Sequence, residues 1–327
     1  MSNQTTSPKL TILLPVYNAG TFLAEAIDSI LQQTFKNFEL LIINDGSSDE
    51  SLSIINKFAS KDSRVRVISR ENKGFIATLQ EGIAIAKSDL IARMDADDIA
   101  LPTRLEKQYA YMSNHPECMV VGCQLQIIDE TGKKLHIDPR PTTNMNLRLF
   151  LAYGCALSGP TVIFRKAILE SVGGFDKNEL PAEDYACWVK LAEKYPDNTL
   201  INLPEVLYLY RETSTGISLS NKNIQIQKTI DIGRAYRLSM IKRGWKFLSK
   251  DIHKGWISDI DHITDYEARE QLIRIYFTIQ TWFRHDVSNI FIRYLLKARL
   301  INLTKRYNPN NTPYIYNQPN QHTFPED

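Results

Sequence analysis

The segment LIARMDADDIALP, residues Leu90 to Pro102, joins a short apolar run to three carboxylates within four positions. The apolar run has the continuity of a buried β-strand. Asp95, Asp97 and Asp98 follow it at once, and carboxylates this close repel one another unless positive charge lies among them. A solvated acidic loop on the surface is the alternative interpretation of such a cluster.

The same change from apolar strand to polar loop occurs twice upstream. KLTILLPVYN (residues 9–18) ends in Tyr17-Asn18, and FELLIINDGSSDES (residues 38–51) turns polar at residues 44–48. Segments with apolar residues at helical spacing separate these strands. The alternation predicts an α/β fold with a mostly parallel central sheet and helices on both faces. Because parallel strands end at one edge, we expect the polar clusters to converge on one cleft.

Charge is distributed unevenly along the chain. The net charge of +2 over 327 residues gives no argument for a nucleic-acid partner. Residues 1–220 carry 22 Lys+Arg against 27 Asp+Glu, whereas residues 221–327 carry 17 against 10. We therefore expect different tasks for an acidic front part and a basic C-terminal part.

Several features predict a cytoplasmic protein. The polar start MSNQTTSPK lacks the apolar core of a secretory signal. No run reaches the roughly 18 apolar residues of a membrane-spanning helix. The four cysteines are widely spaced without a C-x-x-C pair, which indicates reduced thiols and neither a disulfide nor a zinc framework.

A divalent cation explains the acidic cluster best. Mg²⁺ and Mn²⁺ prefer carboxylate and water oxygens. Mg²⁺ usually takes only one or two protein carboxylates and completes its shell with water and substrate phosphates. The cluster after Leu90–Arg93 offers few carboxylates and no neighbouring His or Cys. This composition predicts a cation that binds a diphosphate.

Four segments in this order resemble the family 2 glycosyltransferases with the GT-A fold. They are TILLPVYNAGTFLAEAIDSILQQTFKNFELLIINDGSSDES (11–51), ENKG (71–74), DLIARMDADDIALPTRLEKQ (89–108) and AEDYACWVKLA (182–192). Their order and spacing match over about residues 8–220. The resemblance implies a Rossmann-like GT-A domain and an inverting sugar transferase. It also implies a nucleotide-diphosphate sugar donor, usually a UDP-sugar, and Mn²⁺ or Mg²⁺ as cofactor.

The resemblance also implies roles for individual residues. In the donor site, Asp45 is expected to contact the base and Asp95 to lie near the ribose. The residues that it assigns to nucleotide-sugar binding are Pro15, Val16, Tyr17, Asn18, Asp45, Lys73, Gly74, Asp95 and Ala96. Asp97 is expected on the metal, and Asp98 is a second candidate ligand.

The segment AEDYACW is expected to supply the general base that takes the proton of the acceptor hydroxyl. Asp184 is the predicted base, with Glu183 beside it, although acidic residues are also favoured in the first turn of any helix. Trp188 lies one helical turn later and would either stack on an acceptor sugar or belong to the core. Many relatives carry a His where this chain has Thr213, so Arg211 or Lys222 are candidates for binding phosphate instead.

The domain prediction divides the chain into three parts: a GT-A domain (1–220), a helical basic region (221–307) and a disordered Pro/Asn-rich tail (308–327). Basic amphipathic stretches such as RHDVSNIFIRYLLKARLINLTKRYN can lie on anionic membranes, or can pack on the catalytic domain with their charges in water. We expect a glycan or lipid-linked acceptor in bacterial surface polysaccharide synthesis, at the inner face of the membrane. A pyrophosphorylase-like nucleotide-sugar enzyme and a non-catalytic sugar-nucleotide binding module are the competing functions.

Overall fold

The structure is a computed structural model that describes residues 7–213 and 222–243. These ranges contain nine strands, which we number in chain order: β1 (Leu10–Val16), β2 (Phe38–Asp45), β3 (Val65–Arg70), β4 (Leu90–Arg93), β5 (Ile99–Ala100), β6 (Cys118–Ile128), β7 (Lys134–Asp138), β8 (Ile163–Arg165) and β9 (Thr199–Arg211). The same ranges contain eight α-helices: α1 (Gly20–Leu31), α2 (Ser51–Ala59), α3 (Phe75–Ile85), α4 (Arg104–Asn114), α5 (Asn144–Phe150), α6 (Lys166–Glu170), α7 (Glu183–Lys194) and α8 (Lys222–Lys242).

The strands form one twisted sheet with the order β3-β2-β1-β4-β8-β6-β9-β5, and β7 pairs with β6 beside this path. The first four strands are parallel to one another, as the alternation of strands and helices predicts. Every residue of β1 and β2 is buried, because helices cover both faces of this part of the sheet. The α/β fold class is therefore confirmed.

The second half of the sheet adds antiparallel pairings to the parallel core. Strand β8 runs antiparallel to both β4 and β6, while β9 runs parallel to β6. Strand β5 has only two residues and pairs antiparallel with β9 through Ile99–Leu209 and Ala100–Tyr208. The acidic cluster thus lies in the loop between β4 and β5. This loop leaves the parallel core and ends at the strand that pairs with β9.

Helix α8 packs against α7, within a compact unit that extends to Gly244. In the described part of the chain, no helix has the length and apolarity to cross a membrane. The predicted domain boundary at residue 220 stays a prediction, since residues 214–221 are outside the described ranges. The basic stretch near residues 284–308 and the tail 308–327 also lie outside them.

Candidate active site

The acidic loop between β4 and β5 presents its carboxylates to two different sides. Asp95 and Asp97 are partly exposed, whereas Asp98 is only 1% exposed. Asp98 Oδ1 accepts a hydrogen bond from the Arg211 main-chain N–H at 2.7 Å, and the Arg211 Nε donates to the Asp97 carbonyl at 2.8 Å. Asp98 therefore fixes the loop on β9, whereas Asp95 and Asp97 keep part of their surface accessible.

Arg211 is fully engaged by the protein. Its guanidinium contacts Glu25 at 2.6 Å and donates to the carbonyls of Asp129 and Glu130 at 3.2 Å each. It also lies over the Phe22 ring, 4.5 Å from its centroid. These contacts correct the interpretation of Arg211 as a phosphate-binding side chain, because its donors already hold the acidic loop, α1 and the β6–β7 turn together. The side chain of Lys222, the other candidate, lies outside the described part.

Crowding of carboxylates affects the protonation of the loop. Burial, reinforced by the Asp95 charge, raises the pKa of Asp97 to about 6. Burial and the charges of Asp97 and Asp95 also raise the pKa of Asp98 well above its usual value. A cation at the exposed edge would relieve this repulsion. In residues 7–213 and 222–243, no three His, Cys, Asp or Glu side chains are arranged as a metal cluster.

The loops after β1 and β2 are joined at the same edge of the sheet. Asn18 Oδ1 accepts from the Ser48 main-chain N–H at 2.8 Å, and the Asn18 N–H donates to Ser47 Oγ at 3.0 Å. Asn18 has a positive φ of 50°, a conformation that Asn tolerates better than most residues. Pro15 and Val16 are buried at the end of β1, whereas Tyr17 is 56% exposed. Two of the three predicted polar clusters thus meet directly.

Asp45 organises the turn between β3 and α3. Its carboxylate accepts from the main-chain N–H groups of Lys73 at 2.8 Å and Gly74 at 3.0 Å, and it pairs with Arg70. Burial acts to raise the pKa of Asp45, but these hydrogen bonds and Arg70 hold it below its usual value. Gly74 has a φ of +90°, which favours glycine, and the Lys73 side chain is exposed. Asp45 therefore holds the Lys73–Gly74 main chain from a buried position, and its expected contact with the base stays a prediction.

The two carboxylates at the start of α7 differ in accessibility. Asp184 is partly exposed, and its Oδ2 accepts from the Gly159 main-chain N–H at 3.0 Å. Glu183 is 5% exposed and lies 3.5 Å from the Arg93 guanidinium. Burial, followed by the charge of Asp184, raises the pKa of Glu183 to about 7. Of the two, Asp184 is the side chain that a bound molecule can reach.

Arg93 is the positive charge beside the acidic loop, and the sequence interpretation missed it. Its guanidinium lies 3.3 Å from Asp95 Oδ1 and 3.5 Å from Glu183 Oε1, and it faces the Phe75 ring at 5.0 Å. Through these contacts the acidic loop, the start of α7 and the start of α3 meet at one place. An Arg at the end of an otherwise apolar buried strand is the signal that could have identified it.

Trp188 belongs to the core. The indole is 0% exposed, its Nε1 donates to the Leu157 carbonyl at 2.9 Å, and its ring packs edge-on against Phe175. Of the two alternatives for Trp188, the structure confirms the core position and contradicts stacking on an acceptor sugar, because the helix turns this face of α7 toward the interior. Thr213 lies at the end of the described segment after β9 and is partly exposed.

Sequence comparison relates this chain to a family of enzymes. The family model described as Glycosyl transferase family 2 matches residues 11–173. EpsE of Bacillus subtilis is 32% identical over 238 residues, which cover 70% of this chain and 82% of EpsE. The O-antigen biosynthesis glycosyltransferase WbnJ of Escherichia coli is 31% identical over 207 residues, which cover 62% of this chain and 79% of WbnJ.

Solved structures share the fold at low sequence identity. TarS of S. aureus in complex with UDP-GlcNAc has a TM-score of 0.57 at 19% identity, covering 82% of this chain and 79% of that chain. The mannosyltransferase PcManGT of Pyrobaculum calidifontis, in complex with GDP-Man and Mn²⁺, has a TM-score of 0.52 at 16% identity, covering 87% and 89%. These similarities show a GT-A-like fold, in agreement with the prediction.

Proposed function

Since this chain belongs to the family 2 glycosyltransferases, we propose that it transfers a hexose or N-acetylhexosamine from a UDP-sugar to a glycan or lipid-linked acceptor, with inversion. The observation that carries the proposal is the position of Asp184. This accessible carboxylate follows Glu183, which pairs with the buried cation Arg93, and Arg93 also contacts the acidic loop through Asp95. A general base and a diphosphate site are thus next to each other, as a direct displacement requires.

The proposed donor site uses the edge at which β1, β2 and β4 end. Asp45 shapes the base pocket by holding the Lys73–Gly74 main chain, and Asp95 is proposed near the ribose. The walls of the site are proposed to be Pro15, Val16, Tyr17, Asn18, Lys73, Gly74 and Ala96. The complex of TarS with UDP-GlcNAc supports a UDP-sugar as the first donor to test.

A divalent cation fits the exposed side of the acidic loop. Asp97 is the proposed ligand. Asp98 helps to hold the loop in place by accepting a hydrogen bond from the Arg211 main-chain N–H, and the Arg211 side chain donates to the Asp97 carbonyl. When bound, Mn²⁺ or Mg²⁺ would neutralise the charge that develops on the leaving diphosphate. The Mn²⁺ in the PcManGT complex supports this choice of ion.

Asp184 is the proposed general base of the chain. It takes the proton of the acceptor hydroxyl while the hydroxyl oxygen forms a bond to the anomeric carbon. The bond between that carbon and the diphosphate oxygen breaks in the same displacement, which inverts the anomeric configuration. The main-chain N–H groups of Gly159 and Tyr185 hold the carboxylate in place, at 3.0 and 2.7 Å.

The biological setting is proposed from the relatives. WbnJ is named for O-antigen biosynthesis and AmsE of Erwinia amylovora for amylovoran biosynthesis. We extend this to a role in bacterial surface polysaccharide synthesis on the cytoplasmic side of the membrane. A lipid-linked acceptor would bring the enzyme to the membrane surface, where the basic C-terminal region is the proposed contact.

Calorimetric binding of UDP with Mn²⁺ and with EDTA is the test of the donor site. We expect metal-dependent binding in the wild type and its loss in Asp97→Ala. Exposed Asp231 on α8 provides the matched control, and Asp231→Ala should bind as the wild type does. Equal binding with EDTA would contradict the metal role. Turnover of UDP-GlcNAc that survives in Asp184→Asn would contradict the assignment of the base.

A further inference from the structure

Arg93 has no role of its own in the proposed steps of the transfer reaction. It ends β4 and is 5% exposed, with its guanidinium between two carboxylates that belong to different parts of the site. Nη2 lies 3.3 Å from Asp95 on the donor side, and Nη1 lies 3.5 Å from Glu183 on the acceptor side. A single buried cation thus connects the acidic loop with the start of α7.

The hydrogen-bonding state of this guanidinium is unusual for a buried side chain. Its Nε and Nη1 atoms are buried and have no hydrogen-bond partner among the described residues. Buried polar atoms are nearly always satisfied, and both ion pairs are longer than an optimal N–H···O bond. Catalytic contacts are often long in ligand-free structures and shorten when substrate binds. The guanidinium therefore retains unused hydrogen-bond donors that a small shift could bring to Asp95 and Glu183.

The surroundings fit a guanidinium closely. Phe75 and Phe175 lie on its sides, at 5.0 and 6.0 Å from the guanidinium carbon to the ring centroids. Gly159 closes a third side, and a Cβ on this glycine would overlap Nη1 of Arg93. The Gly159 N–H is also the donor to Asp184. The same glycine thus leaves room for the cation and orients the accessible carboxylate.

We propose that Arg93 is a positioning residue of the transfer reaction, which holds Glu183 as a charged partner and aligns Asp184 with the donor-side Asp95. This inference rests on the proposed function, because it takes Asp184 as the base. Adjacent carboxylates disfavour each other's ionisation. With Arg93 beside Glu183, the negative charge of the pair is balanced, and Asp184 stays available to accept a proton.

The charged and titratable groups that face Glu183 and Asp184 come from four elements of the described structure. They are Arg93 on β4, Asp95 on the acidic loop, Cys155 before the Gly159 turn and Cys187 on α7. Burial raises the pKa of both thiols, which leaves them uncharged at neutral pH. Arg93 is therefore the cation that balances these carboxylates, and the charges of Asp95, Glu183 and Asp184 raise its pKa against the effect of burial.

Titration of Glu183 in the ligand-free protein tests the inference directly. Carboxyl carbon-13 NMR would follow the wild type, Arg93→Lys, Arg93→Met and Arg93→Gln, with the Glu183 signal assigned by its loss in Glu183→Gln. In the neutral variants we expect the midpoint of Glu183, about 7 in the wild type, to rise by about one pH unit or more. Arg93→Lys keeps the charge and should stay within about half a unit.

Control and kinetic measurements separate positioning from folding. Arg165→Met, at the end of the neighbouring β8, removes an Arg that donates to the main-chain carbonyls of Met112, His115 and Cys118, and it should leave the Glu183 midpoint unchanged. For UDP-GlcNAc hydrolysis, the midpoint of the acid limb of the kcat–pH profile should rise in Arg93→Met in parallel with the Glu183 midpoint. The KM of Arg93→Met should stay within about threefold of the wild-type KM. Arg93→Gln replaces Arg93→Met as the neutral variant if Arg93→Met does not fold.

An unmoved Glu183 midpoint in a folded neutral variant would overturn the inference. The titration needs no donor, so it decides whether Arg93 stabilises the charge of Glu183 even if the proposed function fails. Loss of the proposed function would show separately, as the absence of UDP binding to the wild type. UDP binding together with an unmoved midpoint would leave the transferase proposal intact and remove only the role of Arg93.

Discussion

The main-chain N–H of Gly159 donates to Asp184 Oδ2 at 3.0 Å, and it does so from a residue whose missing side chain leaves space for Arg93. The hydrogen bond fixes the accessible carboxylate at the start of α7. The space admits the cation that joins this helix to the acidic loop. Both properties depend on a residue without Cβ.

Gly159→Ala is therefore expected to lower the turnover of UDP-GlcNAc by at least about tenfold, which corresponds to about 1.4 kcal/mol in the activation barrier. The added Cβ would overlap Arg93 Nη1 and lie 3.1 Å from Asp184 Oδ2. Gly154→Ala is the matched control, since its Cβ meets only Phe150 Cε1 at 3.4 Å. Steady-state hydrolysis measures both, and equal activity of the two variants would contradict the expectation.

Asp97 and Asp98 are expected to respond differently to neutralisation. Asp97→Asn should abolish the Mn²⁺-dependent part of UDP binding, because Asp97 is the accessible carboxylate of the pair. Asp98→Asn keeps an oxygen for the Arg211 N–H and should change the Kd of UDP by less than about threefold. Calorimetry with and without Mn²⁺ distinguishes them. An equal loss in both variants would indicate that Asp98 shares the metal.

Arg211→Ala is expected to destabilise the fold as well as weaken donor binding. The substitution leaves the main-chain carbonyls of Asp97, Asp129 and Glu130 without the Arg211 donor. Polar groups that lose their partner in this way cost about 1–3 kcal/mol in the free energy of unfolding. Urea denaturation measures the loss. Lys107→Ala, in the exposed pair with Glu205, should cost at most about 1 kcal/mol.

Trp188→Phe is expected to lower the free energy of unfolding by about 1–3 kcal/mol, since it removes buried area and the donor to the Leu157 carbonyl. Its effect on the KM of an acceptor should be small, because the indole has no exposed surface. Denaturation curves and acceptor kinetics test the two statements separately. A rise in acceptor KM at unchanged stability would restore the sugar-stacking interpretation.

Glu183 should make the stability of the protein depend on pH. Its pKa rises from an ordinary 4.5 to about 7 on folding. The native state therefore binds this proton more tightly than the unfolded chain does. The resulting stabilisation is complete below pH 4.5 and is lost as the pH rises through about 7.

Glu183→Gln removes this dependence, so the unfolding free energy of the variant minus that of the wild type should increase by roughly 1–3 kcal/mol across this window. Urea denaturation at several pH values between the two limits provides the measurement. Asp97 and Asp98 also make the unfolding free energy depend on pH. Because both proteins contain them, the difference between variant and wild type cancels their contributions. A difference that does not change with pH would show that Glu183 titrates at its ordinary value.

Hydrophobic patterning predicted the parallel part of the fold well. Strands β1, β2 and β4 follow from continuous apolar runs, because both faces of this part of the sheet are covered. Helices α1 to α3 follow from helical spacing, and the edge strand β3 mixes apolar and polar residues. Strand β5 was missed, since two residues carry no periodicity and form a strand only through their pairing with β9. Strand β7 was missed as well, because four of its five residues are exposed and little in it marks a core-facing side.

The candidate site was predictable where its residues belong to a motif. Asp97, Glu183 and Asp184 were predicted from the family resemblance, and their roles stay predictions. The structure brings the segments that carry them together around Arg93. The roles of Arg93 and Arg211 depend on contacts between segments distant in sequence, such as Arg211 with Glu25 and Asp97. Trp188 lies one helical turn after Asp184, which is compatible with a role in the site. Whether it is buried depends on which face of α7 meets the core, and helical spacing does not determine that face.

The attachment of the acidic loop to Arg211 also bears on how much entropy donor binding costs. Hydrogen bonds from Arg211 on β9 hold the acidic loop in one conformation without a nucleotide. The ordering penalty that weakens many flexible binding loops is then largely paid during folding. Affinity differences among nucleotide sugars should consequently reflect contacts to base, sugar and ion, and the loop itself should contribute nearly the same term to every donor.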